Sequence, residues 1–143
     1  MIAVDTNILV YSHRQDSPWH AKALACIKEL AEGTRQWCIP WPCVHEFLAV
    51  VTHPRIYTPP TPMESAIGMI EAIATSPGVS FVGEAPGHLA VLKRLAVAGN
   101  IAGPMVHDAR VAAICLDACV TELLTADRDF GRFPALRVRN PLV

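Results

Sequence analysis

The sequence has no stretch near the ~18 consecutive apolar residues of a membrane span. No basic segment or small-residue cleavage site precedes the apolar opening after Met1. Neither a membrane-spanning segment nor a secretory leader is expected, and the expected location is the cytoplasm. Cysteines number five and include no C-x-x-C pair, which argues against a disulfide framework or a zinc knuckle. Cys26, Cys38, Cys43, Cys115 and Cys119 are expected to be reduced core residues. Charge is sparse as well: 17% of residues are charged, with 12 basic against 13 acidic side chains and a net charge of −1. A polycation that coats nucleic acid is excluded, and a 52% apolar content excludes a disordered chain. There is no internal repeat and no low-complexity segment.

What is present fits one domain. A chain of 143 residues can bury about 70% of the surface it would expose unfolded. Short apolar runs alternate with longer helical patterns, which suggests a parallel sheet covered by helices. Residues 1–5 read as the first strand. Ser17-Pro18 opens a helix to about Ala31, with Gly33 as its stop. Trp37 to Ile39 reads as a strand, and Pro42 begins a helix that His53-Pro54 ends. Tyr57 to Pro62 is a proline-rich connector, expected to be extended and exposed. Helices are then expected over Met63–Ala74, Gly87–Ala98 and Val106–Ala118. Strands are expected at Val79–Val82 and Glu122–Thr125, with a final extended segment near Val138.

Placed on these elements, the acids are oddly isolated. Asp5 closes the first strand, at the end where open parallel sheets bind ligands. Glu46 is the only acid in "PCVHEFLAVV" and Asp108 the only one in "PMVHDARVAAIC"; Asp127 and Asp129 follow a strand in "LLTADRDF". Each has an ordinary explanation. Asp5 suits a helix N-cap, Glu46 a solvated helix face, Asp108 the first turn of a helix and its dipole, and Asp127 and Asp129 a turn. Taken together they also suit convergence. Two carboxylates ~4 Å apart repel by ~4 kcal/mol at an effective dielectric near 20, so such a cluster requires a cation. Oxygen ligands without a Cys or His pair at zinc spacing select Mg²⁺ or Mn²⁺, and the natural substrate is then a phosphodiester.

"VDTNILVY", "HEF", "HDARVAAI" and "LLTADRDFGRFPALRVRNP" together resemble a PIN domain, and specifically the VapC toxins of type II toxin–antitoxin pairs. The resemblance runs along essentially the whole chain. It implies an α/β protein with a three-layer α/β/α PIN-like fold and a central parallel sheet, forming a single domain over residues 1–143. It further implies a Mg²⁺- or Mn²⁺-dependent endoribonuclease that uses water as nucleophile and inhibits translation until a VapB-type antitoxin blocks it. Asp5, Glu46, Asp108 and Asp127 match the four catalytic, metal-holding acids. Thr6, Asn7 and Thr125 match supporting polar positions, and Asp129 is an extra acid beside them.

Arginine outnumbers lysine nine to three, and Arg128, Arg132, Arg137 and Arg139 crowd the end of the chain. Guanidinium forks suit phosphate oxygens, so these four are candidate RNA-backbone contacts. His45 and His107 each precede a candidate acid, but adjacent helical residues point ~100° apart, so packing is expected of both. Packing is also expected of Trp37 and Trp41. A homodimer is expected because a mean hydropathy of +0.31 leaves much apolar surface for one small monomer to hide. Two rival readings remain. An aspartyl-phosphate enzyme would carry D-x-D, whereas Asn7 occupies the third position. A PIN-like RNA-binding or processing domain outside any toxin–antitoxin pair would share the fold.

Overall fold

The computed structural model describes every residue from Met1 to Val143. Five strands, β1 (Ile2–Val4), β2 (Trp37–Pro40), β3 (Val79–Val82), β4 (Glu122–Leu124) and β5 (Arg137–Arg139), form one sheet in the order β3-β2-β1-β4-β5. Every pairing is parallel. Six helices complete the fold: α1 (Thr6–His13), α2 (His20–Glu32), α3 (Trp41–Val51), α4 (Met63–Ala74), α5 (His88–Ala98) and α6 (Val106–Asp117).

Parallel neighbours need crossover connections, and these are right-handed in nearly all proteins. The chain steps outward from β1 to β2 to β3 with α1–α4 on one face. It then returns past β1 to β4 with α5 and α6 on the other. Packing follows this division, with α1 against α2 and α3, α3 against α4, and α5 against α6. The expected three-layer α/β/α architecture is the observed one.

Central strands of such a sheet are covered on both faces and therefore read as unbroken apolar runs. Every residue of β1 and of β2 is buried. The edge strands differ: Arg137 and Arg139 of β5 are exposed, and no residue of β3 is fully buried. A contiguous core of 30 buried residues joins the sheet to both helical layers. At the edge, Gly78 lies so near the Arg35 carbonyl that a Cβ would meet it at 2.7 Å. A larger residue there would force β3 away from β2.

The structure adds elements that the sequence pattern does not reveal. Helix α1 begins immediately after β1, and Ile8, Leu9 and Val10 are all buried. A helix surrounded by protein shows no polar stripe and hence no 3.6-residue period. A 3₁₀ segment at Arg128–Arg132 follows Asp127. The connector is less free than expected. Thr61 is buried, its N–H donates to the Val51 carbonyl at 2.8 Å, and Arg14 donates to both the Pro59 carbonyl and the Thr61 hydroxyl. The Arg14 guanidinium also lies 4.3 Å from the centroid of Tyr57. All five cysteines are free, but Cys119 is exposed rather than in the core and Cys26 only half-buried. No helix is long and apolar enough to cross a membrane.

Candidate metal centre

In the order β3-β2-β1-β4-β5 the chain changes direction between β1 and β4. A crevice opens at the carboxyl ends of strands at such a switch point. Asp5 leaves β1 there and Thr125 leaves β4 beside it. The Asp5 N–H donates to the Leu124 carbonyl at 3.0 Å.

Asp5 is the most deeply placed acid, 6% exposed. Its Oδ1 accepts from the Thr6 N–H at 2.8 Å, capping α1, and from the Cys43 thiol at 3.4 Å. Its Oδ2 accepts from the Thr125 hydroxyl at 2.7 Å and from Asn7 Nδ2 at 3.2 Å. The capping explanation and the cluster explanation therefore hold for the same side chain, one oxygen closing the helix and the other turned toward β4. Burial keeps the Cys43 thiol protonated and able to donate.

Thr125 uses its hydroxyl completely. It donates to Asp5 and accepts from Asn7 Nδ2 at 3.1 Å and from the Asp127 N–H at 2.9 Å. Asn7 Oδ1 in turn accepts from the Ala126 N–H at 3.0 Å. These bonds tie the start of α1 to the loop after β4, and so fix Asp127 relative to Asp5. Asp127 Oδ1 accepts from the Asp129 N–H at 2.8 Å, which starts the 3₁₀ segment and points Asp129 back toward the cluster. On the other side the Thr6 hydroxyl donates to Glu46 Oε2 at 3.1 Å and fixes α3.

All four expected acids, Asp5, Glu46, Asp108 and Asp127, line a single cavity of about 220 Å³ together with Thr6 and Asn7. No cationic residue lines it. Asp5, Glu46 and Asp108 also face an adjoining cavity of about 430 Å³, shared with His107 and Arg110. The tightest group is Asp108, Asp127 and Asp129, whose carboxylate oxygens lie within 4.8 Å of one another. Asp129 thus adjoins Asp108 and Asp127 directly. A donor set made only of carboxylate oxygens fits a hard divalent cation.

Electrostatics follow from this crowding. The Asp108 carboxyl is pushed up to about 6, first by burial and then by Asp127, Asp5, Asp129 and Glu46. Burial also raises Asp5, aided by Glu46, while the bonds from Thr125, Thr6 and Cys43 oppose the rise.

The remaining candidates separate. Arg128 and Arg132 are exposed on the 3₁₀ segment that carries Asp129. Arg137 and Arg139 both turn to Glu122, at 3.3 and 2.8 Å. That residue begins β4, at the opposite end from Thr125. His45 is exposed and stacks on Trp41 at 6.2 Å between ring centroids, with Trp41 stacked on Phe81 at 5.0 Å. Trp37 is fully buried, whereas Trp41 is 43% exposed. His107 is exposed and faces the larger cavity. Cys43, expected only as a core residue, and Arg110 are site neighbours that the sequence reading does not assign. Their signal was spacing: Cys43 is three residues before Glu46 and Arg110 three after His107, neighbouring positions on one helix face.

Comparison with known proteins places the chain in a family and matches its fold. The PIN domain family matches residues 2–136. The chain is similar to "Ribonuclease VapC43" of Mycobacterium tuberculosis, 34% identical over 99% of this chain and 96% of that protein. It is similar to "Ribonuclease VapC48" of the same species, 33% identical over 96% of this chain and 94% of the other. Among solved structures, VapBC2 from Rickettsia felis bound to a promoter DNA fragment superposes with a TM-score of 0.71 at 17% identity, covering 98% of both chains. Mycobacterium tuberculosis VapC20, described as a sarcin–ricin loop cleaving toxin, superposes with a TM-score of 0.66 at 14% identity, covering 92% of this chain and 93% of that one.

A raised carboxyl has a definite pH signature. The unfolded chain ionises Asp108 near 3.8 and the folded protein only near 6, so folding binds a proton between these values and stability falls as pH rises through them. Metal-free wild type should therefore lose stability relative to Asp108→Asn on going from pH 4 to pH 7. The expected loss is about 1–2 kcal/mol, reduced by the partial solvation of the group. Urea denaturation of both proteins at the two pH values measures it, and parallel curves would show that Asp108 does not feel the other acids.

Proposed function

The chain belongs to the PIN domain family, and from that premise we propose that it is a divalent-metal-dependent endoribonuclease and the toxin of a type II toxin–antitoxin pair. The observation that carries the reading is the convergence of Asp5, Glu46, Asp108 and Asp127 on one cavity with no cation among its lining residues. Folding alone would not select that repulsion. The likeness to relatives named ribonucleases supports RNA as the substrate.

In this reading Asp5, Glu46, Asp108 and Asp127 hold Mg²⁺ or Mn²⁺, and Asp129 adjoins Asp108 and Asp127 at the same place. The bound ion supplies activation of water and offsets charge developing on the phosphoryl oxygens. The protein's own share is positioning. Thr125, Asn7, Cys43 and the Thr6 N–H hold both Asp5 oxygens, so its carboxylate cannot turn away. Thr6 holds Glu46 at the mouth. Water attack on phosphorus expels the 3′ oxygen and leaves a 3′-hydroxyl and a 5′-phosphate. Arg128 and Arg132, on the segment bearing Asp129, are proposed RNA-backbone contacts; Arg137 and Arg139 would first have to leave Glu122.

The partner in this reading is a VapB-type antitoxin, which restrains the nuclease in the cytoplasm. A second copy of the chain is the other partner. None of the residues of α5 is buried, and Leu89 and Val97 are 76% and 74% exposed, an apolar excess that a homodimer would cover.

Asp108→Asn should lower metal-dependent cleavage of RNA by at least about a hundredfold while the fold persists. Sequencing of new 5′-phosphate RNA ends after brief expression of wild type and the variant reads activity and target together; equal ends from both would sink the proposal. Light scattering at micromolar concentration should read twice the mass of one chain, and a monomer alone would remove the dimer.

A further inference from the structure

Beside the acids lies a second constellation that the metal centre does not use. Arg110 and His107 are three residues apart on α6 and share a wall of the larger cavity, opposite Pro42 and Glu46. Arg110 is the only permanently charged cation lining either acid cavity. Its orientation is held from outside, because Glu84, just past the end of β3, accepts from Nε. That bond occupies Nε and leaves the Nη groups for another acceptor. A guanidinium fixed along one edge and free along the other presents a prepared fork to a phosphate.

The residue before Glu84 connects this arginine to an aromatic surface. A Cβ on Gly83 would lie 3.6 Å from Trp41 Cδ1, so the Trp41 ring passes close against the Gly83 backbone. Trp41 precedes Pro42 at the start of α3 and stacks with both His45 and Phe81. It is 43% exposed, an unusual state for the largest side chain of a helix whose other apolar residues are mostly buried. The Trp41–His45 pair thus adjoins Pro42 and Glu46, which line the larger cavity from α3, while Arg110 lines it from α6.

We propose that Trp41, His45 and Arg110 form a subsite for one nucleotide of single-stranded RNA, the base stacked on the Trp41–His45 ledge and its phosphate held by Arg110. The subsite rests on the nuclease reading and adds the form of the substrate to it. An arginine beside carboxylates offsets part of the repulsion a polyanion would meet. A ledge can take only a base that is unstacked from its neighbours, which selects loops and single strands over helices. Glu84 acts as a positioning residue, keeping the guanidinium from collapsing onto Glu46 or Asp108.

The test measures binding apart from cleavage. A short single-stranded RNA and the corresponding RNA duplex are titrated, across a range of salt, against proteins carrying Asp108→Asn to prevent turnover. Adding Arg110→Gln should flatten the slope of log affinity against log salt by about 0.7, the contribution of one phosphate on a single strand. Adding Trp41→Leu should weaken single-strand binding by about tenfold with the slope unchanged, and should leave duplex binding as it was. Circular dichroism melts identify any variant that has unfolded; Arg110→Lys, which keeps the charge, should then restore the slope. Unchanged single-strand affinity and slope in either variant would overturn the subsite. Cleavage of the same strand by wild type with Mg²⁺ or Mn²⁺ is scored separately. Cleavage beside unaffected variants rejects the subsite alone, and no cleavage by wild type rejects the nuclease reading.

Discussion

A carboxylate that is 6% exposed must be neutralised, paired with a cation or saturated with hydrogen bonds. Before an ion binds, Asp5 depends on hydrogen bonds, and much of the molecule is arranged to supply them. Its four donors come from three places in the chain: Thr6 and Asn7 from α1, Cys43 from α3 and Thr125 from the end of β4. Meeting them requires that β1 and β4 be parallel neighbours and that α1 start without a linker. It also requires α3 to cross close enough for its thiol to reach. The topology and the site are therefore one constraint.

The other acids are placed by the same bonds. Thr125 holds the Asp127 N–H, Asp127 caps the segment that brings Asp129 near, and Thr6 holds Glu46. Asp108 arrives independently from the opposite helical layer, at the first turn of α6. Its carboxyl carries the electrostatic cost, because burial and then neighbours of its own charge oppose ionisation and no hydrogen-bond donor offsets them. A protein that keeps such a carboxyl does so for what it binds.

Much of this was legible in the sequence. Glu46 and Asp108 each stood as the only acid of an apolar stretch, and Asp5 and Asp127 each followed a strand, so their convergence could be inferred without a structure. The strand Val79–Val82 and the helix Met63–Ala74 fall where periodicity places them. Helix α1 was hidden because burial of Ile8, Leu9 and Val10 removes the polar stripe that marks a helix. The arginines separate for a different reason. All four crowd the end of the chain, yet Arg137 and Arg139 turn toward Glu122, and Arg128 and Arg132 stand on the segment beside the acids. Arg110 and Glu84 lie 26 residues apart and meet only because the fold brings α6 to the segment after β3, a contact that no local pattern announces.

The carboxylates converge as a cation site, and without a cation Asp108 keeps its proton to a higher pH than a free aspartate does. Calorimetric titration of the protein with Mn²⁺, repeated at pH 6 in buffers of different ionisation enthalpy, counts the protons released on binding. Release of about half a proton or more per ion is expected at pH 6, from Asp108 with its carboxyl near 6, falling toward zero by pH 8. Binding of Mn²⁺ at pH 6 without proton release, or no binding at either pH, would contradict it.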